Sequence, residues 1–225
     1  MPSVPNYIFA HRGQSLYVNL FIACSANIKL DKGQVSIRQE TNYPWDGEVL
    51  IHVDPKSDKQ FALYVRIPGW AQNQPMPGDL YRFADNDTEN VTLTVNGKLV
   101  DLKMDQGYAV IDRKWQKGDV VKLNLPMPVR RVLANEKVKD DRNKVALIRG
   151  PLTYCAEGAD NEGGVLNRII PDDAQFKIES RPDLLHGITE IKVQYWRGKS
   201  DLIEIPYYAW SHRGPGEMTV WLNRK

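Results

Sequence analysis

Alternation with period two is the feature that most narrows what this chain can fold into. Val49, Ile51 and Val53 alternate with polar neighbours, and so do Phe61, Leu63, Val65 and Ile67. Val91, Leu93 and Val95 face one way while Thr92 and Thr94 face the other. Successive side chains of a strand point to opposite faces, so this pattern predicts strands with one face buried. Asn96-Gly97 interrupts the third run, and the pair favours a hairpin because a type I′ turn needs positive φ at both central residues. Further strands are expected at 108–112, 120–125, 145–154, 188–196, 202–205 and 218–222, with turn residues between them. No eleven-residue window keeps a 3.6-residue period; only 183–185 and 172–175 suggest a helical turn. The expectation is an all-β chain of two consecutive antiparallel β-sandwich domains, jelly-roll-like, with little helix.

Prolines at 126 and 128 mark the break, which gives domains at 1–129 and 130–225. The stretch Gln72 to Asn90, rich in Pro, Gly, Asp and Asn, reads as a long loop. It contains Asn86-Asp87-Thr88, and Asn90-Val91-Thr92 follows; both match the glycosylation acceptor, a short pattern common by chance. With 225 residues the chain can bury real cores without staples. Apolar residues at 42% and charged residues at 26% exclude collagen, long disorder and a disulfide miniprotein. The longest nearly apolar stretch, Leu16 to Ala23, is too short to span a bilayer, so no membrane partner is expected. Met1 to Tyr7 lacks the basic and apolar regions of a secretory signal.

Charge narrows the partners. There are 14 basic and 14 acidic residues through Val129, then 16 and 14. Neither half carries the basic excess of a nucleic-acid binder. Arg130-Arg131 and the group Lys137, Lys139, Arg142, Lys144 are interleaved with Glu136, Asp140 and Asp141, which reads as a solvated loop.

Chemistry-bearing motifs are few. Cys24 and Cys155 lie 131 residues apart in mostly apolar stretches and read as buried, inert thiols. The four histidines, His11, His52, His186 and His212, show neither HxH nor HExxH spacing. Nucleophile-elbow, P-loop and dinucleotide fingerprints are missing from the sequence. Glycosidase work needs two carboxylates flanking one bond, but Asp140-Asp141 and Asp172-Asp173 are adjacent pairs that fit loops or helix caps.

Aromatics are the more informative signal. Six Trp and ten Tyr occur, several in Tyr43-Pro44-Trp45-Asp46-Gly47, Ile67-Pro68-Gly69-Trp70-Ala71 and Ile205-Pro206-Tyr207-Tyr208-Ala209-Trp210. Such rings stack on sugars, plug the end of a sandwich or dock a neighbouring domain. Trp45, Trp70, Tyr208, Trp210 and Arg213 are therefore the candidate carbohydrate or interdomain contacts.

Five segments occur in an order that resembles one family. They are Leu16 to Ile22 (LYVNLFI), Thr41 to Gly47 (TNYPWDG), Leu63 to Ala71 (LYVRIPGWA), Arg149 to Cys155 (RGPLTYC), and Ile205 to Trp210 continuing through Arg213 to Met218. Together they resemble the C-terminal β-sandwich portion of glycoside hydrolase family 127, the β-L-arabinofuranosidase-like proteins. The resemblance implies an (α/α)-barrel catalytic domain ahead of the sandwiches, hydrolysing terminal β-L-arabinofuranosides with a zinc-bound cysteine nucleophile and a glutamate acid/base. It places the zinc-ligand cysteines, including an adjacent Cys-Cys pair, in that barrel. This chain has no such pair; Cys24 lies beyond the first motif and Cys155 in the second sandwich, so no catalytic or metal residue carries over. The implied role is a non-catalytic region supporting the barrel of the same parent protein, with no cofactor of its own and zinc only in the barrel. A plant-type oligosaccharide and self-association through an exposed docking face are further partner expectations. The alternative left open is an autonomous carbohydrate-binding module.

Overall fold

A computed structural model describes residues 3–86, 89–195 and 200–225. The chain is nearly all strand and divides into two compact units, Met1–Gln72 with Thr88–Pro126, and Asn73–Asp87 with Met127–Lys225. Asp87, Thr88 and Trp196 lie outside the described residues, so neither the Asn86 acceptor nor the end of the 188–196 strand is followed further.

The first unit is a sandwich of two sheets. One has the order Phe9–Arg12, Ser15–Val18, Lys59–Arg66, Tyr108–Trp115, Met104–Asp105. The other runs Cys24–Leu30, Gly33–Thr41, Glu48–Pro55, Asp119–Asn124, Thr92–Val95, Lys98–Leu99. The alternating residues meet in its core: Val49, Ile51, Val53, Leu93 and Leu123 from one sheet, Leu16, Phe61, Leu63, Val65 and Ile111 from the other. Trp115 is fully buried there, stacks on Phe61 and donates Nε1–H to the Phe61 carbonyl at 2.9 Å. The Asn96-Gly97 hairpin forms as expected, with φ of 51° and 76° and Val95 paired to Lys98.

One pairing departs from an all-antiparallel sandwich. Ser15–Val18 pairs parallel with Lys59–Arg66. A parallel pair cannot be joined by a hairpin, and here the connection runs through three strands of the opposite sheet. Gln39, at an inward position and 2% exposed, donates to the Leu20 and Ile22 carbonyls and so satisfies that crossover's backbone.

The second unit is one ten-stranded sheet that branches and curls around its core. Its main path is Ile169–Ile170, Leu222–Arg224, Lys144–Arg149, Leu152–Glu157, Leu202–Pro206, Ile188–Gln194, Gln175–Arg181. Val129–Ala134 branches from Lys144–Arg149, and Met218–Thr219 from Leu152–Glu157. Ile169–Ile170 runs parallel to Leu222–Arg224. Val145, Leu147, Tyr154, Ile191, Val193, Leu202 and Leu222 fill the core.

Three sequence expectations change here. The run 145–154 is two strands, because Gly150, at φ 55°, turns the chain before Pro151. The 72–90 segment carries a strand, Tyr81–Phe83, which pairs with Val129–Ala134; Tyr81 also stacks on Trp221 at 5.6 Å. Arg130 and Arg131 are strand residues rather than members of a solvated loop. The Arg130 guanidinium sits 3.4 Å from the Phe83 ring centre and binds Asp85 at 2.6 Å. Arg131 lies 4.4 Å from the Phe176 ring centre and donates to the Ala174 carbonyl at 2.8 Å. In each case the guanidinium lies over a ring while its N–H groups find oxygen. Charge alternation alone does not reveal that use.

Gly47 tests the first unit's packing. A Cβ at this residue would stand 1.7 Å from the Leu125 carbonyl oxygen. Gly47→Ala should destabilise the unit by about 3 kcal/mol, the upper end of ordinary overpacking costs. Denaturant titration followed by tryptophan fluorescence would show the lowered midpoint.

Candidate functional site

The sequence candidates fall into two groups. Trp45 and Trp70 belong to the first unit. Trp45 lies in the turn between Gly33–Thr41 and Glu48–Pro55, its N–H donating to the Asn42 carbonyl at 2.9 Å. Thr41 donates Oγ–H to the Glu48 carbonyl at 2.6 Å, and Asp46 accepts from the Glu48 N–H at 3.1 Å. These bonds shape the TNYPWDG motif as a closed turn with a cis Tyr43–Pro44 peptide. Trp70 sits on the short 3₁₀ turn Gly69–Gln72 and packs, with Tyr43, against the first unit's core. Burial pushes the Tyr43 phenol's pKa up. Each motif thus sends one ring, Tyr43 or Trp70, onto the sandwich core.

Near that turn, a concavity of about 600 Å³ is lined by Glu40, Asn42, Asp46, Glu48 and Asn124 among others. Lys122 pairs with Glu48 at 2.5 Å, and Arg38 pairs with Glu40. It is a polar surface whose glutamates already have cations.

Tyr208, Trp210 and Arg213 come together within one stretch of the second unit. Leu202–Pro206 ends in a proline and the chain turns as the 3₁₀ segment Tyr207–Ala209. Fully buried Ala209 pins the turn, leaving Tyr207 46% and Tyr208 51% exposed. Tyr207 and Trp210 lie 6.4 Å apart, tilted by 34°. Ser211, at φ 69°, then bends the chain so that its N–H reaches Glu157 at 3.1 Å.

Arg213 does not project outward with those rings. Its guanidinium grips both Asp160 oxygens at 2.5 Å and also binds Glu157. Arg181 adds bonds to Glu190 at 3.1 Å, Asp160 at 3.4 Å and Asp183 at 3.0 Å. Burial pushes the Asp160 carboxyl up, but the hydrogen bonds and charges of Arg213 and Arg181 outweigh it and hold it below the usual range. Asp160 in turn raises the Arg213 pKa. Glu217 finishes the loop by accepting from the Val165 and Leu166 N–H groups at 2.8 and 3.2 Å. The cluster is thus a closed ionic clamp under an exposed aromatic turn. Glu157, Asp160, Arg181 and Glu190 escape sequence reasoning because none lies in the quoted segments, and Arg213 reaches Glu157 across 56 residues.

The cysteines are Cys24 and Cys155. Both are free; Cys155 is fully buried, and burial, with Glu204 next in effect, pushes its thiol up to about 12. Cys24 is half-buried rather than buried. Among the described residues no three His, Cys, Asp or Glu side chains converge as a metal site.

Comparison with known proteins now bears on the arrangement. Residues 15–127 match the model of the β-L-arabinofuranosidase GH127 middle domain, and residues 129–223 that of the glycoside hydrolase family 127 C-terminal domain. The chain belongs to glycoside hydrolase family 127. A non-reducing end β-L-arabinofuranosidase of Bifidobacterium longum subsp. longum is 32% identical over 99% of this chain. Among solved structures, a GH127 β-arabinofuranosidase superposes with a TM-score of 0.92 at 40% identity over the whole chain. A GH127 β-L-arabinofuranosidase from Geobacillus stearothermophilus T6 gives 0.85 at 37% identity over 99%. The chain spans only 35% to 37% of the length of these relatives. The clamp and its aromatic turn thus lie in the family's C-terminal domain.

Removing Arg213 would strand two buried carboxylates, a change that typically costs about 3–5 kcal/mol. Arg213→Ala should lower the second unit's thermal midpoint while the first unit's stays in place, as separate peptides in hydrogen exchange during heating would show. Asp160's contribution has the sign of a depressed carboxyl: present above its unfolded pKa and lost as pH falls through the folded one. The Arg213→Ala chain should therefore lose less stability than the parent on acidification below about pH 4.

Proposed function

We propose that this chain is the non-catalytic β-region of a β-L-arabinofuranosidase-like hydrolase, and that it works by supporting an (α/α)-barrel catalytic domain of the same protein. The observation that carries this reading is the closed clamp. Glu157, Asp160 and Glu190 are matched by Arg213 and Arg181, while the aromatic turn beside them remains exposed. A rigid turn presenting Tyr207 and Tyr208 is suited to burying aromatic surface against a partner, since tyrosine brings large contact area at low entropic cost. The family relatives' greater length supports a further domain as that partner.

Co-expression with the separately encoded catalytic portion of a family member tests the proposal. A complex should form, and changing Tyr207 and Tyr208 together to Ser should weaken it about tenfold, since hot-spot aromatics cost on the order of 1.4 kcal/mol or more. No complex with either chain would count against the support role.

A second reading, an autonomous binder of plant oligosaccharide, is favoured only by the polar concavity near Trp45. Its glutamates already have cations, so arabinan and arabinogalactan fragments should give no heat at millimolar concentration in calorimetric titration. Saturable heat lost in Trp45→Ala would establish the binder instead.

A further inference from the structure

Three neighbouring strands in the second unit carry acids with opposite fates. Glu157 and Glu190 stand on one face of Leu152–Glu157 and Ile188–Gln194 and receive Arg213 and Arg181. Glu204, on the Leu202–Pro206 strand between them, is paired across to Ala156 on one side and Ile191 on the other. Adjacent residues of a strand point oppositely, so Glu204 turns away from the clamp and shares the core face with Leu202, Tyr154, Ala156 and Ile191. It is fully buried, and among the described residues neither carboxyl oxygen has a hydrogen-bond partner.

An ionised carboxylate cannot be held in such a place without a donor or a cation. The titratable groups that sense Glu204 are Tyr154, Cys155 and Tyr195. Burial raises all three, so none is charged near neutral pH, and the Tyr195 hydroxyl donates to the Ile169 carbonyl instead. Arg149 acts on Tyr154 and Arg168 on Tyr195, but neither bonds to Glu204. Lys192, on the flanking strand, is held by Glu179 at 2.5 Å and Glu190 at 3.6 Å. Among the described residues, then, no cation answers Glu204.

We propose that Glu204 is a protonation switch for the second unit: the neutral acid fits the closed core, and loss of its proton to solvent opens the Leu202–Pro206 strand with the aromatic turn that follows it. The link to the turn is covalent and short, because Tyr207 directly succeeds Pro206. The switch goes beyond the support role and does not depend on it. Burial alone moves the group from its ordinary value of 4.5 up to about 8. A raised folded pKa stabilises the unit fully below the unfolded value, and that stabilisation is lost as pH rises through the folded one. The opening constant should then climb about tenfold per pH unit across this window and level off above it.

Hydrogen exchange of the whole chain from pH 5 to 9, corrected for intrinsic rates, reads that constant in peptides covering 202–210 (the pH limits being about the window named). The expected result is the tenfold climb in the parent chain and a flat profile in Glu204→Gln, with Glu204→Leu as the apolar counterpart. Infrared titration of the unaltered chain should show a protonated-carboxyl C=O band at neutral pH that is lost near the upper end of the window. A carboxylate already ionised at about pH 6, or a climb that persists in Glu204→Gln, overturns the proposal. If neither variant folds, the infrared titration of the parent chain decides alone.

Discussion

A carboxylate taken out of water must be matched by a cation or give up its charge, and the second unit is organised around that requirement. It buries Glu157, Asp160, Glu190 and Glu204. Arg213 and Arg181 answer the first three from a loop and an edge strand, and in doing so fix the loop that presents Tyr207, Tyr208 and Trp210. Glu204, on the opposite face, has no such answer. One arrangement thus accounts both for a rigid exposed turn and for a point of weakness directly behind it.

Much of the fold was legible because it rests on local pattern. Val49, Ile51 and Val53 announce an inward face, and Asn96-Gly97 announces its hairpin, since both depend only on neighbours in sequence. Strand Gly33–Thr41 hides behind Gln39, a polar residue at a core position that is satisfied by carbonyls of a distant crossover. Strand Gln175–Arg181 hides because it buries none of its residues and is held by seven cross-strand pairs with Ile188–Gln194. The short strand Tyr81–Phe83 sits in a stretch whose composition favours loop, and a partner more than forty residues away decides it.

The site divides along the same line. Aromatic motifs flagged Tyr208 and Trp210, and the turn that carries them is where an exposed ring is held firmly. Arg213 was flagged with them as a contact, yet its fork points inward; a guanidinium beside aromatics in sequence does not reveal which way it faces. The same reasoning points to Trp45 and Trp70; Trp70 packs against the first unit's core, while Trp45 lies in the half-buried turn before Glu48. Glu157 and Asp160 carry no motif, because their pairing with Arg213 spans more than fifty residues and leaves no local trace; Glu190 pairs nearby with Arg181, but no pattern in the sequence marks that pair.

The account makes the chain the supporting β-region of a family 127 hydrolase, with Glu157, Asp160 and Glu190 bound by arginines and the Cys155 thiol fully buried. The most direct measurement is release of arabinose from a chromogenic β-L-arabinofuranoside by the purified chain, with zinc added and omitted. The account predicts no release above the uncatalysed blank in either condition. Turnover that scales with chain concentration, and that disappears when a buried acid or a cysteine is replaced, would contradict it.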